Sequence, residues 1–144
     1  MYYHEEQMDL LKAPRGYAIA HCISADFALG AGVARQIQAA YDLRSRLRKL
    51  YWNTEPAEMV GRCIVSMDVM NLVTKQRYYE KPTLKSLEAA LRDMVCVVQT
   101  LGIWKIAMPR IGCGLDKLNW NDVSAMIQSV FGEMDDVEIM VCVL

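Results

Sequence analysis

Apolar positions along this chain form two patterns, short unbroken runs and longer stretches with a helical period, and the two alternate. The run Tyr17–Ile23 (YAIAHCI) is apolar almost throughout, as expected of a strand covered on both faces. Cys63–Val65 and Val69–Thr74 read as two more strands, joined by a tight turn around Ser66–Asp68. Ile103–Met108 and Val137–Leu144 are further strands, and Tyr2–Glu6 is a short one with more polar positions. Between them lie helical periods. Thr83–Leu101 carries Leu87, Leu91, Met94, Val95 and Val98 at i, i+4, i+7, i+8 and i+11, with Thr83 after Pro82 as the cap and Gly102 as the stop. Val33–Tyr41 follows a turn at Gly30–Gly32 and puts Val33, Ile37 and Ala40 on one side; Ser45–Tyr51 continues as a second helical piece, and Asn121–Phe131 is the last helix. Strands alternating with helices predict an α/β fold, a three-layer α/β/α domain with a central mixed sheet. No repeat, low-complexity tract or linker divides it, so residues 1–144 are expected to form one domain.

Composition narrows the functional classes. With 144 residues, 53% of them apolar, the chain can bury a proper core, and its mean hydropathy of +0.09 excludes a disordered polymer. The formal net charge of −1 argues against a protein that holds nucleic acid by neutralising phosphates. One basic run, Arg44, Arg46, Arg48 and Lys49, reads as a solvated helix face that could also touch a polyanion. Five cysteines (Cys22, Cys63, Cys96, Cys113, Cys142) sit mostly in apolar runs without CxxC spacing, so reduced thiols in a cytosolic compartment are expected, with no zinc or other metal site and no cofactor. No secretory segment opens the chain, and no apolar stretch reaches membrane-spanning length, so a membrane partner is not expected.

The candidate chemistry concentrates in Met108–Trp120 (MPRIGCGLDKLNW), where a strand runs into Pro109 and then a loop with Gly112 and Gly114 around Cys113. Alternating glycines let successive backbone N–H groups converge on an anion, and a helix beginning beyond adds to that field. A second glycine loop, Leu29-Gly30-Ala31-Gly32-Val33, follows the Tyr17–Ile23 strand. Neither completes GxGxxG, since Arg35 and Lys117 stand at the last position, and no GxxxxGK[ST] occurs. Each GxG alone is most simply a turn. Both at strand-to-helix junctions, however, would face one another at the carboxyl ends of the strands, where such sheets bind ligands, and could clamp a diphosphate. Asp116 at the rim of this loop reads either as a cap or as an acid–base group beside a bound phosphate.

Three stretches carry a resemblance to a known family: AHCISADFALGAGVA (Ala20–Ala34), LVTKQR (Leu72–Arg77) followed by Lys81-Pro82-Thr83, and MPRIGCGLDKLNWNDVSAMI (Met108–Ile127). Together they resemble the macrodomain family, and within it the branch of terminal ADP-ribose protein glycohydrolase. The resemblance spans Asp9–Leu144 and is poor over Tyr41–Met59. It implies an ADP-ribose-binding hydrolase that removes mono-ADP-ribose from acidic side chains and deacetylates O-acetyl-ADP-ribose. Lys75 matches the catalytic lysine, which would attack the anomeric carbon of the distal ribose, and Asp116 matches the aspartate that assists release. A nucleophilic amine must be neutral, so Lys75 is expected to be partly buried or beside a cation; from the residues alone it would be a solvated lysine at a strand end.

The resemblance also implies ligand contacts from Asp9 and Leu10 beside the adenine, although Met8 replaces the glycine of the branch; without it, Asp9 is equally a cap. Ser24 and Leu144 match ligand-contacting positions that a turn serine and an apolar strand end explain equally well. Gly30, Ala31, Gly32, Val33, Arg110, Ile111, Gly112, Cys113, Gly114 and Leu115 match the two phosphate loops. His21 and Cys22 are strand neighbours pointing to opposite faces and so form no catalytic pair; His21 is expected in the core. Cys113, between glycines near a helix start, could carry a lowered pKa and be redox-sensitive. Trp120 is expected to pack the loop base. The partners implied are ADP-ribose and ADP-ribosylated protein, acted on by a monomer in the cytoplasm, or in the nucleus of a eukaryote. Two other readings stay open: a reader that binds ADP-ribose without cleaving it, and a macrodomain acting on ADP-ribose 1″-phosphate or on ADP-ribosylated nucleic acid.

Overall fold

The computed structural model describes residues 1–144 and contains six strands and five α-helices. In chain order they are β1 (Tyr2–Gln7), β2 (Ala18–Ser24), α1 (Gly32–Tyr41), α2 (Leu43–Tyr51), α3 (Pro56–Met59), β3 (Cys63–Ser66), β4 (Val69–Lys75), α4 (Leu84–Leu101), β5 (Lys105–Met108), α5 (Trp120–Phe131) and β6 (Glu138–Val143), with a single 3-10 turn at Leu10–Lys12. The strands form one sheet in the order β1-β6-β5-β2-β4-β3. Only β3 runs antiparallel, on the edge beside β4, so the sheet is mixed as expected.

Both faces of the sheet are covered, and the alternation along each strand sorts its side chains. On β4, Met70 and Leu72 enter a core with Leu87, Leu91 and Met94 of α4 and Val123, Ile127 and Phe131 of α5. Its neighbours Val69 and Val73 enter the other core, with Ile37 of α1, Leu43 and Leu47 of α2, and Met59 of α3. Hence β4 presents apolar side chains to both faces, as a central strand covered on both sides requires. Burial of such side chains contributes about 1.5–3 kcal/mol each before chain entropy is subtracted.

Five buried polar residues, His21, Ser24, Ser66, Asn71 and Thr74, interrupt this pattern, and two of them pair across the sheet. His21 of β2 and Asn71 of β4 meet in register, with His21 Nε2 2.6 Å from Asn71 Oδ1, while Asn71 Nδ2 donates to the carbonyls of Ile64 and Val69. Burial lowers the His21 pKa to about 4, so the ring is neutral and belongs to the core, as the sequence implied.

The boundaries of the elements differ from expectation where hydrogen bonds decide them. Thr83 and Ser86 form a reciprocal capping box at α4, and Gly102 closes that helix in the left-handed conformation at φ +66. Ile103 donates back to Val98, which keeps it off β5; that strand begins at Lys105 instead of Ile103. The 3-10 turn and α3 carry too few residues to show a period and were not foreseen. No helix is long and apolar enough to cross a membrane.

Candidate active site

Five parallel strands end on the same side of the sheet, and the loops leaving four of them form one cleft. Lys75 is the last residue of β4. A register shift between Ile23 and Ser24 of β2 sets Ser24 opposite Lys75, and Ala25 N–H then donates to Lys75 O at 2.9 Å. Such a bulge re-aims side chains at a strand end. Lys75 Nζ donates to Asp116 Oδ1 at 2.6 Å, and both side chains are largely buried, at 14% and 17% exposure. The expected partial burial of Lys75 is therefore found. The partner placed at its amine is a carboxylate, not a cation, so its proton has an acceptor within reach.

Asp116 is delivered by the β5–α5 loop. Leu118 N–H donates to Gly112 O at 2.8 Å, closing the loop across its base, and Lys117 N–H donates to Gly114 O at 3.2 Å, closing a tight turn that contains Asp116. Gly112 stands at φ +72, and a Cβ there would lie 3.0 Å from Leu118 Cδ1, so both the backbone and the packing demand glycine. The N–H groups of Gly114 and Leu115 have no acceptor within the protein. Opposite them, α1 starts without a side-chain cap because Ala31 occupies that position. The first-turn N–H groups of Gly32, Val33 and Ala34 are free, and they carry the positive end of the helix dipole. The loops face each other closely: a Cβ on Gly32 would sit 3.9 Å from Leu115 Cδ1.

A hub that the sequence reading did not single out, Asp26, holds this arrangement together. Its carboxylate accepts the Ser24 hydroxyl at 2.6 Å, Ala28 N–H at 3.1 Å and Tyr78 N–H at 2.9 Å. Burial works against the charge on Asp26, but these hydrogen bonds and the nearby Arg77 outweigh it and hold the pKa below the usual carboxylate range. Lys81 Nζ donates to Leu115 O at 2.8 Å, so the loop after β4 is tied to both glycine loops. Arg44 donates to the carbonyls of Phe27 and Ala28, fixing a stretch in which Phe27 and Leu29 hold positive φ with buried side chains.

The remaining candidates are placed as follows. Asp9 caps the 3-10 turn, with Oδ1 accepting Leu11 N–H at 3.0 Å; Leu10 is buried beneath, and Leu144 is exposed where β6 ends. These three lie at the β1/β6 end of the cleft, with Met8 N–H bonded to Val143 O. Ser24 is buried and spends its hydroxyl proton on Asp26. The guanidinium of Arg110 turns to the α5 side, 3.0 Å from Glu5 Oε2 and over the Trp120 ring, whose N–H also binds Glu5. Ile111 is buried in the core on that side. The Cys113 thiol does not gain from a helix start: α5 begins only at Trp120, and burial raises its pKa against the opposing charge of Arg110. Burial likewise raises the pKa of Cys22, which lies beneath the Lys75–Asp116 pair. A larger cavity of about 630 Å³ lies at the opposite end of the sheet, among Tyr17, Met67, Leu101 and Trp104, away from these groups.

The chain is similar to known proteins over most of its length. The Macro domain profile matches residues 20–127. The chain is 38% identical over 142 residues to human ADP-ribose glycohydrolase OARD1, covering 94% of this chain and 88% of that protein. It is 26% identical over 142 residues to the DNA ADP-ribosyl glycohydrolase of Mycobacterium tuberculosis, covering 92% of this chain and 40% of that longer protein. Among solved structures, the macrodomain of Thermus aquaticus DarG superposes with a TM-score of 0.87 at 26% identity, covering 97% of each chain.

Proposed function

This chain belongs to the Macro domain family, and on that premise we propose that it binds ADP-ribose along the cleft and hydrolyses ADP-ribosyl linkages at its Lys75 end. The observation that carries the reading is the Lys75–Asp116 contact of 2.6 Å at the end of a groove lined by free backbone N–H groups. In this reading the ligand runs along the strand order. Adenine lies by Asp9, Leu10 and Leu144 at β1/β6, the diphosphate between Gly30–Val33 and Gly112–Leu115 over β2 and β5, and the distal ribose over β4. The names of the relatives support the same ligand and bond class.

The chemistry follows from the pair. Asp116 takes a proton from the Lys75 ammonium, and the neutral amine attacks the anomeric carbon of the distal ribose. The bond between that carbon and the acceptor oxygen breaks, and the oxygen keeps the electron pair. A carboxylate is a competent leaving group, which favours esters of Glu and Asp side chains, and O-acetyl-ADP-ribose where the acetate is carried at the anomeric carbon, as substrates. Asp116 passes the proton it holds to the departing oxygen and then takes one from the water that adds at the same carbon; the amine leaves and recovers that proton, and ADP-ribose is released. Lys75 and Asp116 are the catalytic residues in this account. ADP-ribosylated protein is the partner. The five free thiols suit a reducing compartment, in keeping with a cytoplasmic enzyme.

The experiment is release of free ADP-ribose from a protein carrying glutamate-linked mono-ADP-ribose, followed by mass spectrometry. The purified protein is expected to release it with multiple turnovers. Tight binding of ADP-ribose without release would make the protein a reader instead.

A further inference from the structure

The acceptor side of the cleft holds a feature that ADP-ribose binding does not use. With adenine over β1/β6 and the distal ribose over β4, whatever is attached to that ribose must leave the cleft past the loop between β4 and α4. Just beyond Lys75 this loop carries two exposed aromatic side chains in succession, Tyr78 and Tyr79, at 66% and 70% exposure. Their rings pack edge to face with centroids 5.4 Å apart. Beside them the cleft continues into a polar hollow of about 400 Å³ lined by Lys75, Gln76, Glu80 and Lys81.

Exposed tyrosines on a floppy loop would carry little meaning, but this loop is fixed. Tyr78 N–H is bound by Asp26, Asp26 N–H by Gln76 O, Arg77 N–H by Glu80 Oε1 and Lys81 Nζ by Leu115 O. Two large amphipathic rings are thus held in water a few residues beyond Lys75, on the acceptor side of the cleft. Tyrosine offers contact area at small entropic cost and, with Arg, is enriched among the residues that dominate protein–protein binding.

We propose that Tyr78 and Tyr79 form an acceptor subsite that binds the polypeptide flanking the ADP-ribosylated side chain, so that specificity for protein substrates is set there. This rests on the reading of the cleft given above. A polypeptide fits better than a nucleic-acid strand because the two cations of this loop are both engaged within the protein: Lys81 donates to Leu115 O, and Arg77 lies beside the Asp26 carboxylate. A strand of phosphates needs several free cations for affinity.

The test uses the full chain with Lys75→Ala as a non-turning-over trap, and compares binding of free ADP-ribose with that of a glutamate-ADP-ribosylated peptide. The peptide is expected to bind about tenfold more tightly than ADP-ribose. Adding Tyr78→Ala and Tyr79→Ala removes that advantage and leaves free ADP-ribose within about twofold, whereas the two Phe replacements keep most of it. The subsite is overturned if peptide and ADP-ribose bind equally, or if the Ala pair weakens both alike. It is also overturned if an ADP-ribosylated oligonucleotide, and not the peptide, loses affinity. Failure of the trap to bind free ADP-ribose is a separate result, which would overturn the reading of the cleft itself.

Discussion

Replacing Lys75 by alanine lowers turnover of a glutamate-linked substrate by on the order of 10³-fold or more, while free ADP-ribose still binds within about threefold of wild type. The split follows from position: Lys75 closes the β4 end of the cleft and donates to Asp116, whereas the diphosphate is proposed to be held by the free N–H groups of Gly32–Ala34 and Gly114–Leu115. Alanine also leaves the largely buried Asp116 carboxylate without its partner, so some loss of stability is expected along with the loss of activity. Lys75→Arg separates the two effects. It keeps a cation at Asp116 and restores the melting temperature, yet stays inactive, because a guanidinium is always protonated and is no nucleophile. Turnover rates, calorimetric binding of ADP-ribose and thermal melting of the three proteins check this together. Substantial activity in either variant would remove Lys75 from the mechanism.

The second large effect is expected at Gly112→Val. Any side chain there must adopt φ +72, and its Cβ meets Leu118 Cδ1 at 3.0 Å and Leu87 Cδ2 at 3.6 Å. A left-handed β-branched residue costs roughly 1–2 kcal/mol and overpacking against the core a further 1–3 kcal/mol, so about 2–5 kcal/mol is lost in total. For a domain of this size that lowers the melting temperature by roughly 5–15 °C. Because the same loop delivers Asp116 and the diphosphate N–H groups, ADP-ribose affinity is expected to fall more than tenfold. Gly114→Ala is the control for stability. Nothing lies within 4 Å of its added Cβ, so its melting temperature stays at that of wild type, within about 0.5 kcal/mol of stability.

Much of the architecture was legible because strand and helix periods are local. The run Tyr17–Ile23 announced β2 as a strand covered on both faces, and Thr83 and Gly102 marked the ends of α4, where the structure has its cap and its left-handed stop. The pairing of β1 with β6 was not legible, since it joins residues at opposite ends of the chain through backbone groups that leave no side-chain signature. In the site, the two glycine loops could be read as facing partners because each sits at a strand-to-helix junction. Asp26 could not, because its role depends on Tyr78 N–H, 52 residues away. Arg44 shows the same limit from the other side. Its basic run reads as a solvated face, yet its guanidinium is bound to the Phe27 and Ala28 carbonyls and shapes the loop that leads into α1. Tyr78 and Tyr79 carry no period at all, and their place at the acceptor exit follows only from where the sheet puts Lys75.

The central claim is that the bond broken is the one between the anomeric carbon and the acceptor oxygen. Hydrolysis of a glutamate-linked substrate in water enriched in oxygen-18 tests it most directly, with the liberated glutamate analysed by mass spectrometry. Attack by Lys75 on the ribose predicts a glutamate carboxylate free of label, since both of its oxygens come from the substrate. One labelled oxygen in that carboxylate would mean that water attacks the acyl carbon, and would contradict the account.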